Sequence, residues 1–450
     1  LQYEEVLKNG CEMASEAEAA IVSKIDLESD SIVLFNTTGF LRKDAVVTEA
    51  PSDGEFSLYD VDGSEIAYQK TYDGKIVFVT EIPAKGYKAV SVKYEKGKDF
   101  KEISADSTHA DTKYFDVEFN GEYNISKLLH KKSGRNVAPE GETLGKLTAY
   151  QDRPHHYEAW DVKCYYKELS WDFDFIGAEL IEKGAVRCVY KVDRRFRNSV
   201  ISEYYIIYSE LERIDIEYKT DWKEKNAIVK ADYPVDVNAT RATFDIQFGN
   251  IERATTENTT WDFAQFEVSM HKWVDLSDNS FGLSVLNDCK YGCSVKDGHI
   301  RPTLLRCATK PNQDQDREYH EFTFSLYPHS GTVASSDVYN EAYSLNYPVY
   351  AVYSNAHKGV LKSEYSFVST DKSNIIIDTV KKAEDSDSII IRAFESKNAK
   401  TRCTIKTGDA LKGVFECNML EEADVPVNFC GDSFETEFKP FEIKTFKLDF

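Results

Sequence analysis

No stretch of this 450-residue chain stays apolar for the roughly 18 residues that a membrane-spanning helix needs. No charged-then-apolar leader is visible at Leu1, so a secretory signal is not expected. Positive charge is scarce: 55 lysines and arginines face 77 aspartates and glutamates, a balance of −22. So acidic a surface repels phosphate backbones and anionic membranes, and neither nucleic acid nor membrane is an expected partner. A neutral sugar is not opposed. The chain also lacks a glycine-rich phosphate loop, an HExxH pair, a GxSxG elbow and any repeat of fixed period. Its nine cysteines are odd in number and widely scattered, which suits reduced thiols in a cytoplasmic protein better than a disulfide framework. Cys289 and Cys293 form a lone CxxxC, whereas a zinc site needs four ligands, so both read as buried or half-buried thiols.

What is present is a β protein behind one helix. An apolar fraction of 42%, with 13% aromatics, supplies packed interiors, and the length suits about three domains. Tyr3, Val6, Leu7, Met13, Ala14, Ala17, Ala20, Ile21 and Ile25 recur at three- and four-residue spacing and predict one amphipathic helix over the first 27 residues. Nothing helical follows to cover that face, so residues 1–28 read as the last helix of an upstream bundle. Strand patterning takes over after Ser31. Asp62-Gly63 and Asp73-Gly74 each sit between alternating runs and predict hairpin turns. Closely spaced strands with almost no helix between them imply antiparallel sandwiches. The charged stretch 95–111 and the polar region after 331 set the divisions: a small β-sandwich over 29–105, a large central one over 106–332 and a terminal one over 333–450.

The densest chemistry lies in DRPHHYEAWD, residues 152–161. Asp152, Glu158 and Asp161 can accept sugar hydroxyl hydrogen bonds, and Tyr157 and Trp160 offer aromatic faces to the C–H side of a pyranose. The same aromatics could equally fill a β core. A second cluster, FEVSMHKWVDLSD (266–278), places His271, Trp273 and Asp275 on one strand face, which could be a site or a packing surface. The polar loop 309–322 follows Arg306, whose fork could clamp a carboxylate or a hydroxyl pair, or form a surface salt bridge. His109, His130 and His299 sit among polar residues and are expected to be exposed. No local grouping makes a complete catalytic apparatus.

Read in order, several segments resemble the C-terminal half of the glycoside hydrolase family 38 α-mannosidases. They include LQYEEVLKNGCEMASEAEAA, SIVLFNTTGFLRKDAVV, KYFDVEFNGEYNISKLLHKKSGRNV, DRPHHYEAWDVKCYY and FEVSMHKWVDLSDNSFGLSVLNDCKYG. REYHEFTFSLYPHSG, AYSLNYPV and the final FEIKTFKLDF complete the series. The wording of AWD, NDCKYG and HEFTFSLYPH is most similar to the cytosolic-type members. The resemblance implies a mainly β fold whose large central domain is a galactose-mutarotase-like supersandwich. It implies a retaining enzyme that removes terminal α-mannosyl units, with nucleophile, acid/base and zinc on an N-terminal barrel. The family's HHD-like zinc motif does not stand in this sequence, so no catalytic residue, metal or cofactor is expected in this chain, and it should hydrolyse nothing alone. Its implied partners are its own N-terminal catalytic domain, mannosides and a second copy of itself. The implied substrate contacts are Asp152, Tyr157, Trp160, Asp161 and Arg306. The alternative is a stand-alone carbohydrate-binding β-sandwich protein, which would bind mannosides by itself.

Overall fold

A computed structural model describes residues 2–156, 158–422 and 424–450. The fold is mainly β, built of antiparallel sheets, and resolves into two compact units: Leu1–Phe100 with Tyr347–Phe450, and Lys101–Asn346.

In the first unit, strand Ser31–Asn36 pairs on one side with Gly86–Lys93 and on the other with Tyr350–Ser354, with Ile32 opposite Val90 and Tyr353. The first sandwich is therefore completed by chain that returns from beyond the second unit. Its core holds Ile32, Leu34, Val46, Phe56, Phe78 and Val90. Strand Glu364–Ser366 also joins Gly86–Lys93, and glycine is required at its edge: a Cβ on Gly86 would lie 2.0 Å from the Tyr365 carbonyl oxygen. Both Asp-Gly turns form, with Gly63 and Gly74 at φ 82° and 88°, a backbone region that costs glycine nothing. A second sandwich, of four- and five-stranded sheets, closes over Ile377, Ile391, Ile405, Phe434 and Phe446.

The N-terminal helix spans Gln2–Val22. Tyr3, Val6, Leu7 and Met13 on its apolar side are exposed, and burial begins only at Val22, Ile25 and Leu27.

The second unit stacks a nine-stranded sheet on a six-stranded one, with a five-stranded sheet beside them. Alternate residues from the two larger sheets, among them Tyr205, Ile216, Tyr218 and Phe324 from one and Val229, Ala231 and Leu305 from the other, share one continuous core. The outward face of the six-stranded sheet mixes polar residues such as Lys230, Asp232 and Arg301 with a few apolar ones such as Ile228, and the site lies there. One expectation is corrected and one open alternative resolved. His130 is fully buried, its ring nitrogens within 2.8 Å of Glu212 Oε1 and 2.9 Å of Ser133 Oγ. Polar neighbours in sequence misled because these two supply the polar partners a buried imidazole needs. Trp273 and Asp275 are a packed face: Trp273 meets Tyr339 edge-on, and Asp275 pairs with buried His329 at 2.7 Å.

Candidate functional site

Three neighbouring strands end together. Gln151 stands opposite Ala227, and Ala227 opposite Cys307. From that end the segment 152–163, the turn before Ala227 and the polar loop after Cys307 all emerge. Backbone bonds tie them: the Asp152 amide donates to the Asn226 carbonyl, and the Asn226 amide to that of Cys307, each at 2.8 Å. Strand pairing thus places the two sequence-distant segments side by side.

Side chains fasten the segment further. Arg306 Nε donates to Asp152 Oδ2 at 2.8 Å, and its Nη2 donates to the Asp161 carbonyl. Asp152 is 2% exposed, and burial raises its pKa although Arg306 opposes the shift. Glu158 Oε2 accepts from the Thr309 hydroxyl at 2.6 Å and the Thr309 amide at 3.0 Å, which holds the Glu158 carboxyl below its usual range. The Asp161 carboxylate pairs with Lys163. Trp160 remains 73% exposed at the tip. Of the residues expected to contact sugar, Asp152, Asp161 and Arg306 are brought together, Trp160 is presented nearby on the same segment, and Tyr157 lies outside the described residues.

Beside this segment an open groove of about 340 Å³ is lined by Val162, Ile228, Glu267, Val268, Tyr291 and Arg306, with Ser269, Gly292 and Thr303 between them. Its charge is paired. Lys230, 2% exposed, sits 2.8 Å from Glu267 Oε1, and Tyr166 donates to that same oxygen at 2.5 Å. Burial, then the Glu267 charge, raises the Tyr166 pKa, so the phenol stays a donor. Two residues along the same strand, Asp232 receives Arg301 at 3.1 Å and His299 at 2.9 Å. The Glu267 cluster escaped sequence reasoning. A signal was available: Lys230 interrupts the apolar strand AIVKADYP, and a lysine in such a strand has to find a counter-charge if it is buried.

Four of the nine histidines are paired with carboxylates. His109 is paired with Asp116, His130 with Glu212, His299 with Asp232 and His329 with Asp275. Among the described residues no three histidine, cysteine or carboxylate side chains gather as a metal site requires.

Residues 110–314 match the glycosyl hydrolases family 38 C-terminal domain, and residues 374–446 match that family's C-terminal beta sandwich domain. Alpha-mannosidase G of Dictyostelium discoideum is 31% identical over 93% of this chain and 40% of its own length. Human alpha-mannosidase 2C1 is 30% identical over 72% of this chain and 32% of its own. The chain therefore spans about a third to two fifths of these relatives. The crystal structure of an alpha-mannosidase from Enterococcus faecalis V583 superposes with a TM-score of 0.78, covering 98% of this chain and 59% of that one at 15% identity, a likeness of fold. The chain belongs to glycosyl hydrolase family 38 and carries its C-terminal domains.

Proposed function

We propose that this chain is the C-terminal region of a retaining, cytosolic-type α-mannosidase. In this reading it shapes the pocket for a terminal α-mannosyl unit, while an N-terminal barrel supplies nucleophile, acid/base and zinc. The observation that carries the reading is how the site's carboxylates are spent. Asp152 serves Arg306, Glu158 serves Thr309, Asp161 serves Lys163 and Glu267 serves Lys230 and Tyr166. Retaining glycosidases work through two carboxyl groups about 5 Å apart, one of them free to attack and the other to donate a proton. Groups held in this way by cationic or hydroxyl partners orient and accept hydrogen bonds; none is free to attack. Family membership supports the substrate class through relatives named as α-mannosidases. Free thiols at all nine cysteines support a reducing compartment such as the cytoplasm. Among the described residues no helix is long and apolar enough to cross a membrane.

The test is an assay of aryl α-mannoside hydrolysis by the full-length gene product and by this chain alone. Zinc-dependent turnover is expected from the former and none from the latter. Turnover by the isolated chain, or a full-length product inactive on every α-mannoside tried, would overturn the reading.

A further inference from the structure

We infer that the groove walled by Glu267 and Tyr291 is a seat for one neutral pyranose ring, with Glu267 as the acceptor of its hydroxyl protons. The inference deepens the proposed function, resting on its reading of this face as a carbohydrate wall. It assigns the contact to residues outside the 152–161 segment.

The geometry supplies each part such a seat needs. At about 340 Å³ the groove lies at the small end of ligand pockets, room for a single ring rather than a chain. Ile228, Val162 and Val268 make apolar surface for the C–H side of the ring. Tyr291 adds an aromatic wall: it is 45% exposed, and its ring is backed by His271 at 5.2 Å with the planes 19° apart. Gly292 also lines the groove, closely packed on Thr303, whose side chain a Cβ at Gly292 would approach to 3.2 Å.

Glu267 is the polar anchor. Lys230 and Tyr166 grip it from the sheet side, yet 13% of its side chain still faces the groove. A carboxylate offers about four lone-pair positions; Lys230 reaches both oxygens and Tyr166 one of them, which leaves about one position for a sugar hydroxyl in front. Its position is pre-set, since Lys230 is buried and also donates to the Arg301 carbonyl at 3.1 Å. Net charge decides the ligand class. Glu267 is balanced by Lys230 and Arg306 by Asp152, so the groove attracts neither anion nor cation. A neutral, hydroxyl-bearing ring with one apolar side fits what remains.

The experiment is saturation-transfer NMR and titration of this chain with methyl α-D-mannopyranoside. A dissociation constant in the millimolar range is expected, as befits one small ring, and it should not change with added salt. Tyr291→Ala should weaken binding about tenfold. Glu267→Gln should weaken it at least as much, and because that change leaves Lys230 buried against an amide, its fold is checked by circular dichroism. Tyr291→Ala carries no such burden and decides the matter if the Gln variant does not fold. Tyr319→Ala, exposed and not among the groove's lining residues, should bind as the parent does. Parent-like binding by Tyr291→Ala overturns the inference. So does the absence of any saturation transfer up to roughly 50 mM sugar. Either result leaves the proposed function standing if the full-length product hydrolyses α-mannosides. Loss of that hydrolysis in the parent would instead sink the proposed function, whatever the groove binds.

Discussion

Arg306 reaches from the end of its strand to Asp152 across 2.8 Å, and the carboxylate it meets is almost wholly out of water. One guanidinium thereby holds both ends of the segment 152–161, since its second nitrogen serves the Asp161 carbonyl.

Removing that guanidinium strands a buried carboxylate. Arg306→Ala should cost about 2–4 kcal/mol, below the full value for a dry pair because Arg306 keeps 19% of its side chain exposed. The pH dependence has a definite sign. The Asp152 pKa is already raised by burial, so its ionisation costs stability as pH climbs from the ordinary carboxylate range through the raised value. Without Arg306 the rise is larger, and the deficit should be greater at pH 7 than at pH 4. Scanning calorimetry at both values checks this, and adding Asp152→Asn should recover part of the loss.

Asp245 is a second buried acid, 3% exposed, with the Lys272 amide donating to it at 2.9 Å. Burial pushes its pKa up to about 6. Its protonated form is the one the fold prefers, so stability declines as pH rises from about 4 to about 6. Asp245→Asn keeps an acceptor for the amide and removes the charge. It should stabilise the unit at pH 7 by up to about 3 kcal/mol and do little at pH 4, read as Tm against pH.

His329 and Asp275 form the opposite case. Burial alone would lower the His329 pKa, but the Asp275 carboxylate at 2.7 Å more than offsets it, and the folded value is raised. That stabilisation is complete below about pH 6.5 and is lost as pH rises through the folded value. Asp275→Asn should therefore cost about 3 kcal/mol at pH 6 and less at pH 8. An equal cost at both values would show that the pair is not ionic.

Trp160 offers the cleanest separation of stability from function. With 73% of the residue exposed, Trp160→Ala should change stability by less than about 0.5 kcal/mol. In the full-length enzyme it should raise KM several-fold, about the worth of one lost ring contact, with little change in kcat. An unchanged kcat/KM would remove the segment from the substrate pocket.

Much of the architecture was legible from short-range pattern. Asp62-Gly63 and Asp73-Gly74 marked true turns because a positive φ next to alternating strands is a local demand. The helical spacing from Tyr3 to Ile21 marked a true helix for the same reason. The pairing of Ser31–Asn36 with Tyr350–Ser354 was not legible, since nothing in either strand names a partner some 320 residues away. Asp152 and Arg306 were each singled out in the sequence, but as sugar contacts. Their use on each other follows only from two strand ends meeting.

The sequence by itself determined the class of this protein: acidic, β-rich, bearing segments of family 38 in order, with carboxylates and aromatics concentrated at 152–161. Period-two alternation, turn chemistry and side-chain type are properties of neighbours along the chain. Tertiary structure decided which of those groups are spent and which are left to a ligand. Burial and partnership are set by contacts between distant strands, and these turned Asp152, Glu158 and Arg306 into struts and left a wall of Glu267 open beside them.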